Sequence, residues 1–529
     1  MRRWVPATLI ALVSICGSQC SLSTVRTSPA ISTLEPKSAF IRVDVNAGQF
    51  TGHFINKNLI GVNGPGPVQA VGSMKRLGVH WVRTDVSLDA STNGEPNYNC
   101  ATGSWNSTSL DQKVSQIYSE GGTPLEIIDY TPQCLSANPL QANWSRLPPD
   151  IGADKQKWID LIREVAYQEI AKEGVRYFEV WNEPDWVFFN GGLSAYLQLY
   201  KDTSMTIEQV AEQERTRVYI GGPALADVLD TQDMTWLNAL LSYVNLNKLP
   251  LDFISWHSYV NDPYSGPIVL GGPGLCFGRS NGPGTNLCYY NPNLNPDTIY
   301  NEVEQTSNAL KAYPNLHPLL IVDEWNINGE YDPRQNQTYD AAYITSVLTS
   351  VNDSELAGMC FFSLADPLGS PAQDWGLLNE YDKPKPSYEA FDFWKQLEPD
   401  QIYSRVKSFV SSTLSATNTF AHGKVGVIAS EGTGKNKSKN VSILLYNFKP
   451  FVVSGNYGTS LPTNYDRTVI VNLGGLDSGK YRITGHLEDG RYLNETVDST
   501  VLNTRRGTLA VKLRLPGEAI ELITIAQQD

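Results

Sequence analysis

The sequence predicts a (β/α)8 barrel followed by a C-terminal β-sandwich domain. Eight short apolar runs follow one another in the first 396 residues, with helix-like segments between several of them, and short alternating runs replace this pattern after residue 400. Near-continuous apolar strands are typical of a parallel sheet covered on both faces, and their alternation with helices favours a barrel. A doubly wound sheet is the competing arrangement. The first run is not followed by the G-x-G-x-x-G motif, which speaks against it.

The predicted strands are runs of apolar residues bounded by turn residues. They cover residues 59–63, 80–85, 124–130, 177–183, 218–225, 252–259, 319–326 and 358–366. Two of the helix-like segments between them end on Gly78 and Gly174, and glycine suits the C-terminal cap of a helix. A barrel of this kind takes about 250 residues, so the excess is expected in loops, the longest of which follows strand six.

The remaining segments complete the predicted domain organisation. Residues 1–25 are interpreted as a secretory signal peptide, because two arginines precede an apolar run too short to span a bilayer. Residues 26–57 form an N-terminal segment that is expected to add one strand to the β-sandwich. The barrel covers residues 58–396 and the β-sandwich residues 397–529. We therefore expect a secreted protein, and two cysteines near the end of the signal segment leave a lipoprotein or periplasmic form as the less favoured alternative.

Composition argues against several function classes. The net charge is −14 and no basic cluster occurs, which argues against a nucleic-acid partner. No run after the signal segment is long enough to span a membrane. The chain has six histidines without clustered spacing, and neither H-E-x-x-H nor G-x-S-x-G is present. We therefore predict no metal and no cofactor.

Five cysteines follow the signal segment. In an oxidising compartment Cys276 and Cys288 could close the long loop after strand six, and Cys100 could pair with Cys134. Cys360 lies in an apolar run and is predicted to be a buried free thiol. Several N-x-S/T sequons are compatible with a secreted glycoprotein.

Polar residues end six of the predicted strands, where (β/α)8 enzymes place their active sites. These residues are Arg83, Asp85, Asp129, Tyr130, Asn182, Glu183, His257, Tyr259, Glu324, Asn326 and Asp366. We therefore predict that they converge at one end of the barrel and form a site.

Glu183 and Glu324 stand out among these residues. Each follows an apolar run and has a Trp and an Asn close by, in "VWNEPD" and "DEWN". They belong to strands four and seven, which lie almost opposite each other in an eight-stranded barrel, so the two carboxyls can face each other. Two carboxyls about 5 to 5.5 Å apart perform retaining glycoside hydrolysis, one as acid/base and one as nucleophile. Their surroundings must then keep one protonated and the other charged.

These motifs resemble those of known glycoside hydrolases. "WNEPD" on strand four and a glutamate closing strand seven resemble the signature of clan A retaining enzymes. "GGPAL", "DFISWHSY" and "WGLLNEYDKPKPSYEAF" are most similar to glycoside hydrolase family 39, which includes β-xylosidases and α-L-iduronidases. The resemblance implies Glu183 as the acid/base and Glu324 as the nucleophile.

The same resemblance assigns roles to neighbouring residues. It implies that Asn182 hydrogen-bonds the sugar 2-hydroxyl, that His257 and Tyr259 line the sugar subsite, and that Arg83 steadies the nucleophile. An arginine beside Glu324 would favour its ionised form. A satisfied core histidine is the alternative for His257, and a structural ion pair for Arg83.

Three further residues are predicted to bind substrate. Asp85 and Tyr130 close strands two and three, and Trp375 could be a stacking wall for the sugar or a core residue. Asp323 is expected to point away from the site, because successive side chains on a strand face opposite sides.

The sequence as a whole predicts a secreted retaining glycoside hydrolase, β-xylosidase-like and exo-acting, with a glycoside, oligosaccharide or polysaccharide as substrate. α-L-Iduronidase-like or arabinofuranosidase-like activity is the alternative within the family. A non-catalytic carbohydrate-binding barrel is the alternative from another class, and intact Glu183 and Glu324 speak against it.

Overall fold

The computed structural model of the chain describes most of the residues from 40 onward. The described ranges are residues 40–64, 72–88, 97–142, 146–148, 152–229, 231–259, 295–327, 329, 333–368, 375–408, 423–434, 439–450, 465–490, 495–504 and 507–528. The predicted signal peptide, residues 1–25, lies outside these ranges. So does most of the loop after strand six, with Cys276 and Cys288.

Eight parallel strands form a closed barrel in which each strand pairs with the next along the chain and the last pairs with the first. Numbered one to eight along the chain, they are Gly61–Asn63, Trp81–Asp85, Thr123–Ile128, Tyr177–Val180, Tyr219–Leu225, Phe253–Tyr259, Leu319–Asn326 and Leu356–Phe361. The predicted (β/α)8 barrel is therefore confirmed. Because all strands run in one direction, their C-terminal ends share one rim.

Helices alternate with the barrel strands. They are Ser73–Leu77, Thr108–Ser119, Gly152–Tyr167, Gly192–Gln213, Thr231–Asn247, Thr298–Leu310, Thr338–Val351 and Pro386–Gln396. Apolar strand residues such as Val82, Phe178, Ile254 and Val322 are completely buried, as expected for a parallel sheet that is covered on both faces. None of the helices in the described ranges is both long and apolar enough to cross a bilayer.

A separate β-rich domain follows the barrel, which confirms the predicted fold class. Its described residues form nine strands: Ile41–Phe54, Asp400–Ser408, Lys424–Thr433, Lys439–Phe448, Arg467–Gly474, Gly479–Glu488, Glu495–Thr504, Leu509–Leu515 and Ile520–Gln528. The strand Ile41–Phe54, which precedes the barrel in sequence, lies inside this sheet. It pairs antiparallel with Asp400–Ser408 and parallel with Arg467–Gly474.

Aromatic residues join the two domains. Phe448 of the sheet lies against Tyr339 and Tyr343 of the helix Thr338–Val351, with ring centroids 5.0 and 5.9 Å apart. All three side chains are buried. The contact therefore excludes water between this helix and the sheet.

Candidate active site

Strand four ends at Val180, three residues earlier than the sequence predicts. Trp181 and Glu183 have φ angles of 73° and 42°, in the left-handed region that strands do not use. The backbone N–H of Glu183 donates to the carbonyl of Ala224, near the end of strand five, at 2.9 Å. Glu183 is thus presented by a tight turn whose geometry is held by the neighbouring strand.

Glu183 lies buried beside His257, and its Oε1 is 2.6 Å from the imidazole Nδ1. Burial raises the pKa of Glu183 to about 8, although Arg83 lowers it. Burial also lowers the pKa of His257 to about 4. At neutral pH the carboxyl is therefore protonated and the imidazole is neutral, so Glu183 has a proton to give.

Glu324 has different surroundings, because two donors bind its two oxygens. Arg83 Nη1 donates to Oε2 at 2.9 Å, and the Tyr259 hydroxyl donates to Oε1. Its side chain is 15% exposed, which leaves it open to the barrel mouth. The adjacent cation and the hydrogen bonds to both oxygens hold the Glu324 carboxyl group in one orientation.

Arg83 is the centre of this polar group. Its buried guanidinium donates through Nε to Glu179 Oε2 and through Nη2 to Asn182 Oδ1, both at 2.8 Å. Burial opposes the charge, yet Glu179, Asp323 and Glu324 raise the pKa of Arg83 well above its ordinary value. Arg83 therefore stays protonated and holds residues from strands four and seven in one arrangement.

The expectation that Asp323 points away from the site is wrong. Its Oδ2 lies 2.8 Å from Arg83 Nε, and its side chain is completely buried. The pairing of strands six and seven shifts register between Val322 and Glu324. Such a bulge interrupts the alternation of side chains, so that Asp323 and Glu324 both reach the same arginine.

The structure brings Glu183, His257 and Glu324 together. One ligand-type atom from each lies within 4.8 Å of the others. Such a group could in principle hold a metal ion, but the Arg83 cation already occupies one oxygen of Glu324, which disfavours a second cation there. The oxygen separation is close to that of retaining glycosidases and below the roughly 6.5 to 9.5 Å of inverting enzymes.

Asn182 connects this group to Tyr130. Its Nδ2 donates to the Tyr130 hydroxyl at 3.1 Å, while its Oδ1 accepts from Arg83. Both Asn182 and Tyr130 are half-buried. Asp85 is exposed at the end of strand two.

Trp375 lies next to the ends of strands seven and eight. Its carbonyl accepts from Asn326 Nδ2 at 3.1 Å, and its ring is 5.1 Å from that of Phe362. Its side chain is half-buried. Asp366 instead forms a buried ion pair with Lys385 at 2.7 Å, and is thus structural.

Two polar side chains of this group were not predicted as site residues. Glu179 contacts Arg83 from within strand four, and Asn63 donates to the carbonyls of Asp323 and Cys360 at 2.9 and 3.2 Å. The sequence does carry one signal for Glu179, which is its position inside the apolar run "YFEV". A carboxyl buried in a strand needs a partner.

A disulfide joins Cys100 to Cys134, across a separation of 34 residues. It ties the loop after strand two to the segment after strand three. Cys360 is a buried free thiol.

Comparisons with known proteins agree with the sequence resemblance. The family model described as "Glycosyl hydrolases family 39" matches residues 68–270. A β-xylosidase of Caldicellulosiruptor saccharolyticus is 27% identical over 312 residues, which are 55% of this chain and 57% of the relative. A β-xylosidase of Geobacillus stearothermophilus is 23% identical over 317 residues, 56% of this chain and 58% of the relative. The chain thus matches just over half the length of these curated relatives.

Solved structures share the fold over nearly the whole chain. A family 39 enzyme from Xanthomonas axonopodis pv. citri has a TM-score of 0.70 at 20% identity, with 93% of this chain and 98% of that chain covered. A monomeric β-xylosidase from Caulobacter crescentus CB15 has a TM-score of 0.66 at 17% identity, with 92% and 100% covered. At this identity the likeness is one of fold.

Proposed function

The chain is a relative of the glycosyl hydrolases of family 39, and from this premise we propose that it hydrolyses glycosidic bonds with retention of configuration. One observation carries the proposal. Two glutamates from strands four and seven bring oxygens to within 4.8 Å of each other, one beside a neutral imidazole and the other beside a guanidinium. Retaining hydrolysis requires this combination of a proton donor and a carboxylate nucleophile.

The proposed reaction has two displacements. Glu324 attacks the anomeric carbon while Glu183 gives its proton to the departing oxygen, which leaves a glycosyl ester on Glu324 and a carboxylate on Glu183. Glu183 then takes a proton from water, whose oxygen attacks the same carbon and releases Glu324. Both side chains return to their starting charge, and the sugar keeps its anomeric configuration.

The surrounding residues support these steps. Tyr259 and Arg83 bind the two oxygens of Glu324, so the carboxylate is held in one orientation before attack. Asn182, fixed between Arg83 and Tyr130, is placed to bind a sugar hydroxyl next to the reacting carbon. Trp375 at the rim offers an apolar ring face for a sugar.

For the substrate we propose a β-xyloside, cleaved from the end of a chain. The two curated relatives described above are both named β-xylosidases. The distinguishing group between a xyloside and an iduronide is a carboxylate, which calls for a dedicated cation. The Arg83 cation is already bound to carboxyls of the protein, so it is not free for a substrate carboxylate.

We further propose that the protein acts outside the cytoplasm. The disulfide between Cys100 and Cys134 supports this location, because disulfides persist in oxidising compartments. Expression with residues 1–25 present, followed by assay of the culture medium and cell fractions, tests the proposal. Activity confined to the cytosolic fraction would contradict it.

A panel of aryl glycosides tests the enzymatic proposal. We expect turnover of aryl β-xyloside above turnover of the α-L-iduronide and α-L-arabinofuranoside, with the β-anomer of the product appearing first in proton NMR spectra. A 2-deoxy-2-fluoro xyloside with a good leaving group should label Glu324, as located by peptide mass spectrometry. Formation of the inverted anomer would refute the mechanism, and sugar binding without any turnover would favour a non-catalytic barrel.

A further inference from the structure

A second pair of carboxyls lies beneath the nucleophile and has no role in the two displacements. Glu179 on strand four and Asp323 on strand seven are both completely buried. One oxygen of each lies 2.8 Å from Nε of Arg83, whose Nη1 also binds Glu324. A single guanidinium therefore faces three carboxyls.

The charges of this group do not balance if every carboxyl is ionised. One cation with three carboxylates would carry a net charge of −2 in an interior shielded from water, which is strongly unfavourable. Within the described residues the other titratable groups facing Asp323 are His257, whose Nε2 is 3.8 Å away, and the Cys360 thiol. Neither supplies a positive charge, because burial keeps the imidazole neutral.

Hydrogen-bond geometry indicates where a proton resides. The Arg83 Nε–H is directed at Glu179, which also has Ser255 as a hydrogen-bonding neighbour. Asp323 lies as close to Nε, but neither of its oxygens accepts a hydrogen bond from the described part of the chain. A carboxylate without donors is unfavourable in a buried site, whereas a protonated Asp323 can donate to the adjacent Glu179.

The pKa directions agree with this placement. Burial and the neighbouring Glu179 raise the pKa of Asp323 well above its ordinary value, although Arg83 opposes the shift. Burial works against ionisation of Glu179 as well, but Arg83 lowers its pKa below the ordinary value. Two carboxyls that share a site in this way hold one proton between them.

We propose that Glu179 and Asp323 form a positioning pair that carries one negative charge and one proton, and so sets how much of the Arg83 charge acts on Glu324. This role rests on the function proposed above. In the free enzyme the group of four then carries a net charge of −1, opposite to the positive charge that develops on the sugar. When Glu324 becomes an ester, Glu179 still neutralises Arg83, so no buried cation is left unpaired.

If the pair shares one negative charge, either residue can carry that charge beside Arg83 when the other is made neutral. Asp323→Asn keeps the charge on Glu179, and Glu179→Gln allows Asp323 to ionise beside Arg83 in its place. We expect each single variant to lower kcat/KM by about 10-fold or less, and the double variant by about 10⁴-fold, which exceeds the product of the two single effects. Effects that simply multiply would show that the residues act by packing alone and would overturn the proposal.

Infrared difference spectroscopy tests the pair without using activity. At neutral pH the wild-type protein should show a carbonyl band of a protonated carboxyl that is lost in Asp323→Asn. Glu179→Gln should lose the same band, because Asp323 then ionises. Asp160→Asn is the matched control, since that side chain is 58% exposed on a helix. Persistence of the band in Asp323→Asn would refute the shared proton.

The two measurements separate this inference from the proposed function. If the wild-type protein hydrolyses no glycoside but the band behaves as expected, the enzymatic proposal fails and the charge state of the pair stands. If Glu324 is labelled and the band is unchanged in both single variants, the enzymatic proposal stands and the pair fails. If circular dichroism shows that the double variant does not fold, the infrared spectra of the two single variants still test whether Glu179 and Asp323 share one proton.

Discussion

The two sides of the barrel mouth give their glutamates opposite surroundings. On the strand-four side Glu183 is buried against a neutral imidazole, and burial raises its pKa to about 8. On the strand-seven side Glu324 is partly open to the mouth and receives hydrogen bonds from Arg83 and Tyr259. The same residue type is thus desolvated on one side of the mouth and bound by a cation and a hydroxyl donor on the other.

Backbone geometry reinforces the contrast between the two sides. Glu183 stands in a left-handed turn beyond the end of its strand, whereas Glu324 lies within strand seven, next to a bulge. The turn places Glu183 beside His257, and the bulge turns Glu324 and Asp323 toward Arg83. Variants that exchange or remove these surroundings should therefore affect the two sides differently.

The largest effect is expected from Glu324→Gln. The amide keeps the size of the side chain but cannot attack the anomeric carbon, so kcat/KM should fall by about 10⁴-fold or more for every glycoside tested. Kinetics with aryl xylosides of different leaving-group pKa check this expectation. A loss limited to poor leaving groups would assign Glu324 to the acid role instead.

Glu183→Gln should lower activity by a factor that depends on the leaving group of the substrate. General acid catalysis contributes about 10² to 10⁴-fold when the departing oxygen needs a proton, and little when it leaves readily as an anion. Comparison of a dinitrophenyl xyloside with an unactivated disaccharide measures the difference. Equal losses for both substrates would contradict the acid role and remove the distinction between the two sides.

The contrast between the two sides was only partly predictable from the sequence. The position of Glu183 and Glu324 after apolar strands indicated one shared rim, because parallel strands end together. The bulge that turns Asp323 inward was not predictable, since regular alternation is the default for a strand. Nor was the role of Glu179, whose partner Arg83 is 96 residues away in the chain and meets it only when the barrel closes.

The pH dependence of activity should reflect the protonation of Glu183, on the strand-four side. The proposed reaction needs Glu183 protonated, and burial raises its pKa to about 8. We therefore expect kcat/KM to fall as pH rises through about 8, by about tenfold per further pH unit. The basic limb should disappear in Glu183→Gln, measured with a substrate whose leaving group needs no proton. A limb that persists there would belong to another group.

The smallest effect is expected on the strand-seven side, from Tyr259→Phe. The variant removes the hydroxyl that donates to Glu324 Oε1 but leaves Arg83 bound to Oε2, so one of two donors remains. Loss of a single preorganised hydrogen bond to a charged group should lower kcat by about 10 to 100-fold. Tyr167→Phe is the matched control, because that side chain is 44% exposed on an outer helix. Since the lost hydroxyl touches Glu324 and not Glu183, the basic limb near pH 8 should stay in place. A shift of that limb would show that the Tyr259 hydroxyl also acts on the pKa of Glu183, and would contradict its assignment to Glu324 alone.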